Sequence, residues 1–264
     1  MKKAGISSLI LVIGLLFVCL SCEGGGDENG RDDDTDDDAS GDDDTDDDTN
    51  YTPEGNVLKI YDPDAGTATA TYNDTDYEGD FNSGAFNIEY IFYWSSEELP
   101  SSGYAGFSFQ FLREVDKDQD IAFTVDAYRY EGGEPHIEAT NNGFGNFENC
   151  VEPISYDTWH KVTILVDPSA TTYDVLVDEK DTRCHDLLIP DGPLSSLLFA
   201  VYGNFDVEHP SQLNIAYVDS FLITKEKATI FEEDWEAHTV GSPPGDPWVY
   251  NESPNAYMEI YNWE

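Results

Sequence analysis

From Tyr51 onward, apolar positions recur every second residue in short runs broken by Gly, Asn, Asp and Pro, which is the period of half-buried strands. The clearest instance lies in 156–180. There Val162, Ile164 and Val166 alternate with Lys161, Thr163 and Leu165, and Tyr173, Val175 and Val177 alternate with Asp174, Leu176 and Asp178. Between the two halves, Asp167-Pro168-Ser169-Ala170-Thr171 places a proline where its fixed φ suits the second turn position, after an aspartate able to bond the turn's backbone. A β-hairpin is predicted.

The same alternation predicts strands over Val57–Tyr61, 67–72, Ala85–Trp94, Gly106–Leu112, Ile121–Tyr130, 196–202 and 214–224. In the third of these, Phe86, Ile88, Tyr90, Phe92 and Trp94 share one face and Asn87, Glu89, Ile91 and Tyr93 the other. Phe107, Phe109 and Phe111 face inward in the next, and Ile121, Phe123, Val125 and Ala127 in the one after. These three strands read as one sheet with a buried face and a solvated face, and 131–149 reads as a Gly- and Asn-rich connection. The whole is an all-β, two-sheet antiparallel sandwich.

Residues 156–180, with Trp159-His160 ahead of a strand ending in Val166-Asp167 and a return strand Tyr173-Asp174-Val175-Leu176-Val177-Asp178, resemble the concanavalin A-like (laminin G-like) jelly rolls. Those occur in lectins, carbohydrate-binding modules and glycan-cleaving enzymes. Ala216–Ile223 resembles their closing strand, while 230–250 resembles their opening one, and Val57–Asp62 looks like a second strand. Either the domain is circularly permuted, with 229–264 folding back beside the first strand, or a tandem domain begins at 229. The first reading is favoured, because a lone fragment carrying Phe231, Trp235, Trp248, Tyr250 and Tyr257 would expose a large apolar surface.

Charge narrows the partners. The 264 residues carry a formal net charge of -43, and 51–264 alone hold 40 acidic and 9 basic groups, a net of -31. Such a field repels nucleic acid and anionic membrane surfaces. Residues 1–21 read as an export signal, too short in its apolar run for a spanning helix. Leu20-Ser21-Cys22 resembles a bacterial lipobox, departing from it at Cys19, and the resemblance implies a lipidated Cys22; Glu23 after it implies sorting to the outer rather than the inner membrane, with the cell surface expected over the periplasmic face. Residues 22–50, with DDDTDDD at 32–38 and again at 42–48, read as a disordered acidic tether to a domain over 51–264. The membrane is then touched only through the lipid. Cys150 and Cys184, the cysteines left over in an exported chain, are expected to form a disulfide.

Three constellations carry candidate chemistry. The outward positions of 86–130 gather Asn87, Glu89, Tyr93, Ser108, Gln110, Asp126, Tyr128 and Tyr130, with Glu131, His136, Asn141 and Asn142 as a rim. Aromatic rings for C–H faces beside amides and carboxylates for hydroxyls suit a polysaccharide or a glycosylated partner. Glu232-Glu233-Asp234-Trp235-Glu236 matches the Glu-x-Asp-x-Glu signature of laminarinase-like retaining glycoside hydrolases, which would make Glu232 the nucleophile, Asp234 its helper and Glu236 the acid/base. Against that, Glu233 would be buried without a partner. The rival function is therefore a glycan-cleaving enzyme, acting through that triplet or through Glu89 and Asp126. Finally, Asp219 with Glu233 and Asp234 resembles the structural Ca²⁺ site of many jelly rolls, so calcium is the one cofactor expected. No Gly-x-Ser-x-Gly, His-Glu-x-x-His, phosphate-loop or dinucleotide motif occurs.

Overall fold

The computed structural model describes residues 51–264 apart from 63–66, 73–80, 98, 100–102, 117, 131, 144, 152, 205–213 and 252–256. The predicted signal, Cys22, the acidic tether and the rim residue Glu131 lie outside the described residues. Every described strand pairs antiparallel, and the strands form two sheets, of nine and seven strands. The larger sheet is built from β1 (Gly55–Asp62), β3 (Phe86–Trp94), β8 (Trp159–Asp167), β9 (Thr172–Val177), β13 (Asn214–Lys225), β16 (Tyr257–Trp263) and the short β10 (Lys180–Asp181), β11 (Leu187–Leu188) and β14 (Ala228–Glu233). Its order is β10-β9-β8-β3-β13-β1-β16, with β11 on β9 and β14 on β13. The smaller sheet runs β15 (Trp248–Asn251), β2 (Thr67–Tyr72), β12 (Leu194–Asn204), β4 (Tyr104–Val115), β5 (Asp118–Arg129), β6 (His136–Thr140) and β7 (Phe147–Val151). This is the two-sheet antiparallel sandwich that the alternation implies, with the jelly-roll architecture that the resemblance implies. Among the described residues no helix is long and apolar enough to cross a membrane.

The hairpin forms as its pattern dictates. Val162, Ile164 and Val166 of β8 lie opposite Val177, Val175 and Tyr173 of β9, all six buried, and Asp167 Oδ1 accepts hydrogen bonds from the Ser169 and Ala170 amides at 2.9 and 3.1 Å. Inward aromatics from the two sheets then meet in the core. Tyr90 of β3 stacks on Phe109 of β4 with ring centroids 5.3 Å apart, and Phe92 on Phe107 at 5.0 Å. Each such ring removed from water contributes about 2–3 kcal/mol.

Polar ties also cross the core. Trp94 Nε1 donates to Asn214 Oδ1 at 2.8 Å, and Asn214 Nδ2 donates in turn to the carbonyls of Gly106 and Tyr202 at 2.8 and 2.9 Å. One buried amide thus joins β13 to both β4 and β12, with its donors and acceptor used. The expected disulfide is present: Cys150 on β7 is bonded to Cys184, which lies between β10 and β11, so the bond links an edge strand of the smaller sheet to strands attached to the larger.

Two expectations need correction. Strands 86–94, 106–112 and 121–130 do not share a sheet: β3 lies between β8 and β13 in the larger sheet, whereas β4 pairs with β5 and β12 in the smaller. Alternation fixes which face of a strand is buried, and it carries no information about which strand lies alongside. The stretch read as a connection holds β6 and β7, short strands whose apolar positions are few. At the far end of the chain, β14 pairs with β13, β15 with β2 and β16 with β1, so 228–264 contributes strands to both sheets. Trp235 and Trp248 are buried there, 5.2 Å apart.

Candidate functional site

The outer face of the smaller sheet collects the most chemistry. Register sets Ser108 of β4 opposite Asp126 of β5 and Asp126 opposite Glu138 of β6; two pairs further along, Gly106, Tyr128 and His136 align. On the other side of β4, Gly106 lies opposite Tyr202 of β12. Alternation sends all these side chains to the same face.

Gly106 is there for room. A Cβ at this position would come within 2.5 Å of the Tyr202 ring, so only glycine lets that ring lie across β4 and carry its hydroxyl to Asp126. Tyr202 donates to Asp126 Oδ2 at 2.8 Å, Ser108 donates to Oδ1 at 2.6 Å, and Gln110 Nε2 donates to the Ser108 hydroxyl at 3.1 Å. Asp126 is only 3% exposed. Burial pushes its carboxyl up to about 7; the bonds from Ser108 and Tyr202 oppose this, Glu138 across the strand adds to it, and burial prevails. Burial likewise raises Glu138, against the lowering pull of His136, whose Nε2 lies 3.3 Å from Glu138 Oε2. The Tyr202 and Tyr128 hydroxyls are raised too, by burial first, so both stay neutral.

Over this polar bed stand four tyrosines. Tyr128 meets Tyr130 edge to face at 4.6 Å, lies near parallel to Tyr202 at 6.3 Å and is 6.1 Å from Tyr104. The Tyr130 ring lies parallel to the His136 ring at 5.9 Å and is otherwise 60% exposed. Beside it opens a groove of about 600 Å³, lined among others by Tyr130, Glu134, His136, Glu138, Phe147 and Asn149. The combination presents aromatic faces, an amide and carboxyls to one ligand.

Of the residues named from the sequence, the structure therefore brings together Gln110, Asp126, Tyr128 and Tyr130, with Ser108 and His136. Glu89 and Tyr93 are elsewhere, because β3 belongs to the other sheet. Glu89 pairs with Lys161 at 3.0 Å on the outer face of the larger sheet. Tyr93 joins a second aromatic group there, with its ring 5.3 Å from Trp159, 5.8 Å from Tyr217 and 5.0 Å from Trp263. Its hydroxyl donates to Asp157 at 3.2 Å and is pushed up to about 12 by burial and by that carboxylate. These rings meet largely edge to face, with Trp159, Tyr93 and Tyr217 on the adjacent strands β8, β3 and β13 and Trp263 reaching them from β16, and such packing stabilises a sheet. Glu89 and Asp126 accordingly cannot act on one substrate. Asn141 and Asn142 lie past the end of β6, where the Asn142 amide donates to the Leu188 carbonyl at 2.8 Å and Asn141 Oδ1 accepts from the Leu188 amide at 3.1 Å.

Tyr202, Tyr104 and Glu138 were missed by sequence reasoning, although a signal existed for two of them. Ser196, Leu198, Ala200 and Tyr202 share one parity, and so do His136, Glu138 and Thr140.

The acidic triplet is not assembled. Strand β14 ends at Glu233, Trp235 turns into the left-handed region with φ 63°, and Asp234 Oδ1 accepts from the Glu236 amide at 3.1 Å, so Glu232, Asp234 and Glu236 do not share a strand face. Glu233 is buried as expected but well partnered, taking bonds from the Trp235 amide, His238 Nε2 and Trp248 Nε1 at 3.0, 3.2 and 3.0 Å. It shapes the corner between β14 and β15. Asp219, at the bulge of β13, accepts from the Tyr51 hydroxyl. Glu233 thus faces other partners than Asp219 and Asp234, and no group of three His, Cys, Asp or Glu able to hold a metal ion occurs among the described residues.

No family model matches the chain, and no curated protein does. Among solved structures it is similar to a sialidase, at 12% identity and a TM-score of 0.45 over 64% of this chain and 15% of that one. It is also similar to the Emp46p carbohydrate recognition domain in its metal-free form, at 10% identity and a TM-score of 0.43 over 65% and 86%. A third likeness is to alginate lyase A1-II', a member of polysaccharide lyase family-7, at 16% identity and a TM-score of 0.39 over 54% and 63%. The chain thus spans a small part of the sialidase and just under two thirds of the lyase. Scores this low speak to neither ligand nor reaction, and the chemistry of the site rests on the residues described above.

Proposed function

We propose that the protein is a lipid-anchored, cell-surface lectin-like module that binds a polysaccharide or a glycosylated partner on the outer face of its smaller sheet, without cleaving it. The observation that carries this reading is the aromatic platform of Tyr104, Tyr128, Tyr130 and Tyr202, set on a hydrogen-bonded bed and opening onto a groove of about 600 Å³. Sugars are recognised by rings against their C–H faces and by polar groups around the edge, and this face supplies both. The anchor follows from Cys22 in its lipobox, and the acidic stretch after it would hold the domain away from the membrane by self-repulsion.

One observation favours a glycan-cleaving enzyme as the second reading: Asp126 and Glu138 are neighbouring carboxyls that burial shifts upward, the direction that proton transfer near neutral pH requires. Both oxygens of Asp126 are however engaged and covered. A glycan array read in parallel with the release of new reducing ends separates the two. Binding without new ends is the expected result; release of ends that disappears in Glu138→Gln would establish the enzyme instead.

A further inference from the structure

We propose that the groove beside Tyr130 selects sugars bearing a free ammonium group, held between the open face of Tyr130 and the carboxyl of Glu138, and that it turns away uronic and sulfated sugars. This rests on the lectin reading and names the ligand class for it. Among the described residues, the groove is lined by two aromatic side chains, Tyr130 and Phe147, and two acidic ones, Glu134 and Glu138, with neither Lys nor Arg. His136, the one described lining side chain able to carry positive charge, is engaged by Glu138 at 3.3 Å. A cation over an aromatic face is attracted by the ring quadrupole, and more so where water is excluded.

The floor strengthens the case. Glu138 lies directly across from Asp126 on adjacent strands, both little exposed, so burial disfavours charge on either carboxyl unless a cation is near. A bound ammonium stabilises the ionised carboxyl of Glu138, which burial otherwise disfavours, while a carboxylate or sulfate brings a further negative charge to acidic surroundings. The folded part's net of -31 acts in the same direction at long range. A pyranose is favoured over a lysine side chain as the carrier, because two exposed rings and an amide around an open groove exceed what one ammonium uses.

The test is calorimetric titration of the full chain, near neutral pH and at low salt, with hexamers of glucosamine, N-acetylglucosamine and galacturonate. The glucosamine hexamer is expected to bind about tenfold more tightly than the N-acetylated one, and the galacturonate hexamer to give no measurable heat. Glu138→Gln should abolish the preference, the two hexosamine hexamers then binding alike. Because Glu138 is buried against His136, the exposed Glu134→Gln gives an independent reading, with the preference reduced about twofold. Equal binding of the two hexosamine ligands, or binding of galacturonate, would overturn the inference and leave the lectin reading standing. A lysine-rich peptide binding more tightly than any sugar would overturn it in favour of a protein partner. No binding of any glycan, here or on the array, would remove both readings.

Discussion

Asp126 is subject to opposed influences: two hydroxyl donors favour its charged form, burial disfavours it, and burial is the stronger. The sign of the consequence is fixed. A carboxyl whose folded-state value stands at about 7, above its ordinary 3.8, holds its proton more tightly in the native state than in the unfolded one. Below about pH 4 both states are protonated and nothing is lost; as pH rises through that value and on to about 7, the native state gives up stability, by an amount on the order of 4 kcal/mol. Asp126→Asn removes that dependence. Urea unfolding at a series of pH values should show the variant gaining on the wild type between about pH 4 and 7, and a constant gap would contradict the assignment. Gly106→Ala tests the same network from its other side. The added methyl meets the Tyr202 ring, so Tyr202 leaves Asp126, with a stability loss of about 1–3 kcal/mol and weakened glycan binding.

At the scale of elements, the two sheets are joined at one end by the Cys150–Cys184 bond, which closes 34 residues holding the β8–β9 hairpin. In the loop-entropy picture such a closure is worth roughly 4 kcal/mol. A Cys150→Ser/Cys184→Ser double variant should unfold at correspondingly lower denaturant with its strand content kept, and an unchanged midpoint would show that the bond adds nothing. This pair was legible in the sequence because few cysteines remain once residues 1–21 are read as an export signal. Strand parity was legible too: Phe86, Ile88, Tyr90, Phe92 and Trp94 are all buried, and so are Phe107, Phe109 and Phe111. Strand neighbours were not. The partners of β3 lie tens of residues away at 159–166 and 216–224, and no local pattern in 86–94 names them. That single gap split the candidate site, leaving Gln110, Asp126, Tyr128 and Tyr130 together and sending Glu89 and Tyr93 to the opposite face. It also hid Tyr202, whose place beside β4 depends on a pairing ninety-six residues long in sequence from Gly106. The acidic triplet failed for a local reason, since a left-handed residue at Trp235 ends the strand that its spacing assumed.

Across the whole molecule, two outer faces carry aromatic groups, and they differ in kind. On the larger sheet Trp159, Tyr93 and Tyr217 lie on the adjacent strands β8, β3 and β13, and Trp263 reaches their rings from β16, so the four pack against one another. On the smaller sheet Tyr130 keeps an open face beside a groove with carboxyls in its wall. The first arrangement stabilises a sheet, and the second leaves aromatic surface for a ligand. That distinction is the central claim. It is tested most directly by measuring the affinity of Tyr130→Ala and of Trp263→Ala for the strongest glycan found on the array. Loss of about tenfold or more in Tyr130→Ala, with Trp263→Ala within about twofold of the wild type, is the expected result. Binding that survives Tyr130→Ala and collapses in Trp263→Ala would place the ligand on the other sheet and contradict the account.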